Sequence, residues 1–201
     1  MNKPKIVVLV SGEGTLLQAL LDQQKNLNYE ISLVLSDKKN VNALKRAQAA
    51  NVLTHTIIEK DFKTKSDWHL EILKVLKNVD PDLVVLAGFM RILPPMIVSE
   101  FENRILNSHP ALLPAFPGLH AVQQALATGV KETGATMHLV DNGVDTGPIV
   151  EQVVVKVLPQ DTPSELHQRI KLAEQQTLPR VVDLLVNSKW RVIAGKVVID
   201  Y

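Results

Sequence analysis

Short, wholly apolar runs alternate with longer stretches in which apolar residues recur every three or four positions, and this alternation predicts parallel strands joined by covering helices. Residues 6–10 (Ile-Val-Val-Leu-Val) are apolar throughout and rich in β-branched side chains, as a central strand covered on both faces requires. Leu16, Leu17, Leu20 and Leu21 then repeat at helical spacing. A strand is expected at 31–36, a helix at 41–50, a strand at 52–58, and an amphipathic helix at 66–77 carried by Trp68, Leu70, Ile72, Leu73 and Leu76. Asp80-Pro81-Asp82 breaks the chain before a second fully apolar run at 83–87, and Ile105 and Leu106 end a further short buried strand.

In the C-terminal half, 121–128 reads as a helix and 134–140 and 149–157 as strands of an antiparallel ribbon. Thr162, Pro163 and Glu165 supply an N-cap, a first-position proline and the partner of a capping box. The helix they start should pass Lys171 and Glu174 until Pro179 kinks or ends it, and 190–200 should close as a hairpin around Ala194-Gly195. The pattern as a whole predicts an α/β, Rossmann-like, mostly parallel sheet with helices on both faces and an antiparallel C-terminal extension.

A length of 201 residues suits one domain, 1–201, with no internal repeat or linker. The formal net charge of +1 gives no reason to expect a nucleic acid partner. The absence of cysteine excludes disulfides, thiolate nucleophiles and Cys-ligated zinc. The first apolar run is too short for a signal peptide or a membrane span, so a cytoplasmic protein without membrane attachment is expected. The histidines show no metal-ligand spacing, so no metal is expected, and His120 and His138 are at most supporting groups.

Chemistry concentrates where strands end. Pro110 cannot continue a sheet ladder, so Asn107 and His109 should sit where strand becomes loop, the place where open α/β sheets bind ligands. Asp145 follows a later strand in the turn Asp141-Asn142-Gly143-Val144-Asp145-Thr146-Gly147-Pro148. An amide, an imidazole and a carboxylate converging from two loops suit acyl transfer. As a plain turn former, Asp145 would instead cap Gly147. Gly12 and Gly14 lie at a helix N-terminus, where free N–H groups cradle phosphate, unless the turn binds nothing. Asp37 stands where a dinucleotide-binding fold keeps its ribose carboxylate, but Leu17 replaces the third glycine of that fingerprint, which leaves Asp37 as a solvated turn or helix cap. Ser108 lacks the G-x-S-x-G setting of a nucleophilic serine.

Five stretches, Ser11-Gly12-Glu13-Gly14-Thr15, Ala87-Gly88-Phe89-Met90-Arg91-Ile92-Leu93, Asn107-Ser108-His109-Pro110-Ala111-Leu112-Leu113-Pro114, Phe116-Pro117-Gly118-Leu119-His120 and Asp145-Thr146-Gly147-Pro148, occur in the order in which the folate-dependent formyltransferases carry them. The chain resembles that family over essentially its whole length, above all the branch that formylates the amine of glycinamide ribonucleotide in purine synthesis. The resemblance implies 10-formyltetrahydrofolate as co-substrate, no permanently bound cofactor, small-molecule substrates, and a monomer or homodimer. It implies Asn107, His109 and Asp145 as catalytic residues. Gly12, Glu13, Gly14, Thr15, Leu16, Lys65 and Glu174 would hold the nucleotide. Phe89, Met90, Arg91, Ile92, Leu93, Asn107, Asp141, Asn142 and Val144 would hold the folate, although on composition alone Met90, Ile92 and Leu93 read as core.

Two departures stand out. The nucleotide loop commonly reads Gly-Asn-Gly-Ser-Asn, whereas Glu13 and Leu16 replace amides here, and a carboxylate at Glu13 would repel phosphate unless it points away. Lys65 replaces an arginine and loses its bidentate fork. Competing readings are a formyltetrahydrofolate hydrolase, expected to carry an added N-terminal domain; transfer to methionyl-tRNA, expected to carry a C-terminal one; and a non-catalytic nucleotide-binding module, which has no use for Asn107, His109 and Asp145 together.

Overall fold

The computed structural model describes residues 3–200. Five strands, β1 (Lys5–Val10), β2 (Glu30–Ser36), β3 (Thr54–Thr56), β4 (Leu83–Leu86) and β5 (Ile105–His109), pair in parallel in the order β3-β2-β1-β4-β5. β6 (Glu132–Leu139) and β7 (Ile149–Lys156) add antiparallel neighbours, and the hairpin β8 (Trp190–Ile193) and β9 (Lys196–Ile199) joins through a single parallel pairing of Ile149 with Lys196. The expected parallel sheet with an antiparallel extension is thus present, and β1 lies inside it between β2 and β4.

The helices are α1 (Thr15–Gln23), α2 (Asn42–Ala49), α3 (Lys65–Val79), α4 (Pro95–Glu100), α5 (Ala121–Thr128) and α6 (Pro163–Asn187). α1, α2, α5 and α6 cover one face of the sheet, while α3 and α4 cover the other. Strand periodicity assigns each side chain to a layer: in β1, Ile6, Val8 and Val10 meet the first group of helices, and Val7 and Leu9 meet the second. In β5, Leu106 faces α6 and Ile105 faces α4. By the same alternation Asn107 and His109 lie on the α3/α4 face, and Ser108 lies on the α6 face. No helix among the described residues is long and apolar enough to cross a membrane.

Several expectations need correction. The strand expected at 52–58 shrinks to three residues, Thr54–Thr56, because only these pair with β2. Leu70 is 49% exposed, outside the buried stripe of Trp68, Ile72 and Leu76. α4 was not expected; it is six residues long and starts on Pro95, whose missing N–H is no loss at a first helical position. α6 does not end at Pro179 but runs through it to Asn187, with Pro179 buried. Its N-terminus follows expectation, with the Thr162–Glu165 capping box formed in both directions.

Candidate active site

The site is built on the pairing of β5 with β6. Asn107 stands opposite His138, and His109 opposite Thr136, so β5 continues three residues past the expected strand end at Leu106 and stops before Pro110. Because cross-strand partners share a face, Asn107, His109 and His138 point to the same side. The turn 141–148 folds back over that side and delivers Asp145, which has φ 55°. Asp145 Oδ2 lies 3.3 Å from His109 Nδ1, and Oδ1 lies 3.5 Å from His138 Nε2. The Gly118 N–H donates to Oδ2 at 2.8 Å. Asp145 therefore ties together the loop after β5 and the turn after β6, and does not serve merely to shape its own turn; that task falls to Asp141, which accepts from Gly143 N–H and Thr146 Oγ.

These neighbours fix the charge of Asp145. His138, the Gly118 amide and His109 together outweigh its partial burial and hold the carboxyl down to about 2. At 3.5 Å the His138 contact is long for a hydrogen bond, and by geometry the Gly118 amide is the firmest partner. His138 is itself buried, with Nδ1 2.9 Å from the Leu139 carbonyl, an acceptor that requires the proton on Nδ1. Nε2 lies 3.1 Å from Asn107 Nδ2 as well as 3.5 Å from Asp145 Oδ1: in the neutral ring its lone pair accepts from the Asn107 amide and orients it, and only the doubly protonated ring donates to Asp145. His109, also buried, places Nε2 2.8 Å from the Phe116 carbonyl while Nδ1 faces Asp145. The sequence placed His138 only at the margin; it stands at the centre.

The opposite face of β5 carries a second arrangement. The Ser108 hydroxyl donates to Glu174 Oε1 at 2.6 Å, bringing a residue of α6 against the strand between Asn107 and His109. Glu174 is 5% exposed. Burial pushes its carboxyl up to about 7, although Ser108 and Lys171 pull it down.

At the glycine turn, Gly12 and Gly14 have different reasons to be glycine. Gly14 has φ 70°, and a Cβ there would fall 2.6 Å from the backbone of Ala43. Gly12 has neither constraint, since a Cβ there would meet nothing within 4 Å. Thr15 begins α1, the Leu16 side chain is buried in the core, and the first intrahelical bond is Gln18 N–H to Gly14 O, so the N–H groups before it are free to bind. Both oxygens of the Glu13 carboxylate accept from Asn42 Nδ2, Oε2 at 2.9 Å and Oε1 at 3.1 Å, and Arg46 donates to the Glu13 carbonyl. The carboxylate is thus held toward α2.

The loop 89–93 is pinned at both sides. Met90 N–H donates to Ser11 Oγ at 2.9 Å, joining it to the glycine turn. Arg91 bonds Asp37 at 2.9 Å and Glu59 at 2.8 Å, 5.6 Å above the Trp68 ring. Asp37, expected as a solvated turn or cap, is instead a fully buried carboxylate paired with Arg91. Phe89 and Leu93 are core residues, whereas Met90 and Ile92 are 68% and 74% exposed. Two large apolar side chains held in solvent on a fixed loop are a surface on which a flat apolar ligand can pack. Asn142 and Val144 are exposed on the turn carrying Asp145. Lys65 opens α3 and lines a cavity beside Arg91.

Comparison with known proteins gives this geometry its context. A family model described as formyl transferase matches residues 4–182. The chain belongs to the formyl transferase family. Within that family, it is 47% identical to phosphoribosylglycinamide formyltransferase of Mycobacterium tuberculosis, over 90% of this chain and 84% of the relative. It is 43% identical to the trifunctional purine biosynthetic protein adenosine-3 of Drosophila melanogaster over 92% of this chain, spanning only 14% of that longer protein. The crystal structure of glycinamide ribonucleotide transformylase 1 from Symbiobacterium toebii superposes with a TM-score of 0.95 at 38% identity, covering 98% of this chain and 94% of that one.

Proposed function

We propose that the chain is a phosphoribosylglycinamide formyltransferase of purine biosynthesis, passing the formyl group of 10-formyltetrahydrofolate directly to the amine of glycinamide ribonucleotide. The observation that carries this reading is the set of two buried histidines, His109 and His138, with the half-buried Asn107 and Asp145, on the same sheet edge as the exposed Met90 and Ile92. The amine nitrogen attacks the formyl carbon, and the carbonyl electron pair moves to oxygen. Asn107 has a second amide hydrogen left after its bond to His138, and this hydrogen is available to the developing oxyanion. His109 supplies the other donor when its Nε2–H leaves the Phe116 carbonyl for the formyl oxygen. Asp145, ionised well below neutral pH, balances the positive charge on His109 as it does so.

Collapse of the tetrahedral species expels the folate nitrogen, which gains a proton as the attacking amine loses one, and Asp145 is the group placed to organise that exchange. The nucleotide lies at the glycine turn, its phosphate on the N–H groups of α1 and its ribose near Glu174. The co-substrate lies against Met90, Ile92 and the 141–145 turn. The test is a spectrophotometric assay of purified protein with 10-formyltetrahydrofolate, with and without glycinamide ribonucleotide. Folate release that requires the amine supports transfer. Release without it assigns a hydrolase, and no reaction in folded protein assigns a binding module.

A further inference from the structure

Three successive carbonyls of the glycine turn are held from behind. The Ala43 N–H donates to Gly12 O at 3.0 Å, Arg46 Nε donates to Glu13 O at 2.9 Å, and the Gln18 N–H donates to Gly14 O at 2.9 Å. These peptides are trans, so the N–H of each plane points away from the side on which its carbonyl is bound. The amides of Glu13 and Gly14 are thereby turned away from α2. With Gly14 left-handed and Thr15 opening a helix, they line a concave nest of donors. Among the described residues, none of the N–H groups of Glu13, Gly14 and Thr15 donates to a protein acceptor.

Two side chains of α2 decide how well that nest takes an anion. Arg46 reaches from α2 to α1, where its second nitrogen lies 3.0 Å from Gln18 Oε1, so a carbonyl and an amide hold its guanidinium. A cation on the Glu13 carbonyl polarises the peptide 13–14 and makes the Gly14 N–H on the other side a stronger donor. Asn42 acts on the one unfavourable group. Glu13 is exposed and brings a negative charge into the turn, and both its oxygens rest on Asn42 Nδ2. Without Asn42 the carboxylate is free to swing over the amides, where it repels a phosphate. We propose that Arg46 and Asn42 are positioning residues for the phosphate of the nucleotide, Arg46 by aiming and polarising the peptide 13–14 and Asn42 by keeping Glu13 off the nest. The inference rests on the proposed placement of the nucleotide at this turn. A purely structural tie between α1 and α2 would serve substrates with and without a phosphate equally.

The test measures kcat and KM with glycinamide ribonucleotide, and kcat/KM with glycinamide riboside, the same amine lacking the phosphate, in the wild type, Arg46→Met, Asn42→Ala and the double variant Asn42→Ala, Glu13→Gln. Loss of a charge-assisted hydrogen bond predicts a KM for the nucleotide about 10-fold higher in Arg46→Met, with kcat within about 2-fold and kcat/KM for the riboside unchanged. Asn42→Ala should raise KM for the nucleotide about 5-fold, less at high salt, and adding Glu13→Gln should restore the wild-type value. Equal losses for nucleotide and riboside, or a double variant no better than Asn42→Ala, overturn the proposal and reduce both residues to a structural tie. A wild type with no preference for the nucleotide over the riboside puts the phosphate elsewhere, which overturns the positioning roles and leaves formyl transfer standing. A wild type that formylates neither amine overturns the transfer and the inference together. If Arg46→Met does not fold, Asn42→Ala and its rescue decide alone, since Asn42 is exposed in the first turn of α2, where alanine favours the helix.

Discussion

Gly12 and Gly14 look alike in sequence and differ in what they answer to. Gly14→Ala forces a left-handed φ on alanine and drives a methyl into Ala43, so it should lower the melting temperature and nucleotide affinity together. Gly12→Ala meets no protein atom, and should leave thermal stability within about 0.5 kcal/mol of wild type while weakening nucleotide binding in calorimetry. Unchanged nucleotide affinity in that variant would remove the phosphate from this turn. Asp145→Asn preserves an acceptor for the Gly118 amide but loses the charge beside His109. Turnover should fall by at least roughly 100-fold with substrate binding retained, and the double variant with His109→Asn should lose far less than the product of the single losses. Losses that multiply would mean that the two residues act independently.

At the scale of elements, β5 carries two kinds of information on its two faces. Asn107 and His109 face Asp145, while Ser108 reaches Glu174 on α6 at 2.6 Å. On the proposed placement of the ribose at Glu174, Ser108 positions that end of the nucleotide. Ser108→Ala should raise KM for the nucleotide several-fold with kcat little changed, and Ser108→Thr, which keeps the hydroxyl, should restore it; equal effects of the two variants would point to packing alone. The loop after β4 makes a separate claim. Ile92 is 74% exposed, so Ile92→Asp costs the core nothing and should raise KM for the folate while sparing nucleotide affinity. If calorimetry found folate binding unchanged, the ring would have to lie elsewhere.

For the whole molecule, the two displaced carboxyls act on stability in opposite pH windows. Glu174 is raised from 4.5 to about 7, so its favourable contribution is complete below pH 4.5 and is lost as pH rises to about 7. The loss is on the order of 3 kcal/mol. Asp145 is lowered from 3.8 to about 2, so its contribution is present above pH 3.8 and disappears as pH falls toward 2. Urea unfolding at pH 5 and pH 8 should show Glu174→Gln losing less stability over that interval than the wild type. A parallel response would mean that Glu174 is not the buried acid responsible. The deficit is the stability cost of a carboxylate kept buried against Ser108 instead of in water.

What the sequence determined by itself is whatever depends on neighbours along the chain. The apolar runs at 6–10 and 83–87 demanded strands covered on both faces, Thr162 to Glu165 closed a helix cap within four residues, and Asn107, His109 and Asp145 stood out as chemistry placed at strand ends. Tertiary structure decided whatever depends on register and on which segments meet. His138 enters the site because the antiparallel pairing sets it opposite Asn107, 31 residues away. Asp37 becomes the buried partner of Arg91 across 54 residues, and Glu174 that of Ser108 across 66. A slip of one residue between β5 and β6 would turn His138 to the other face and leave Asn107 unoriented, yet no local pattern records that register. Periodicity specifies which face of an element is buried; only the assembled sheet specifies which side chains share it.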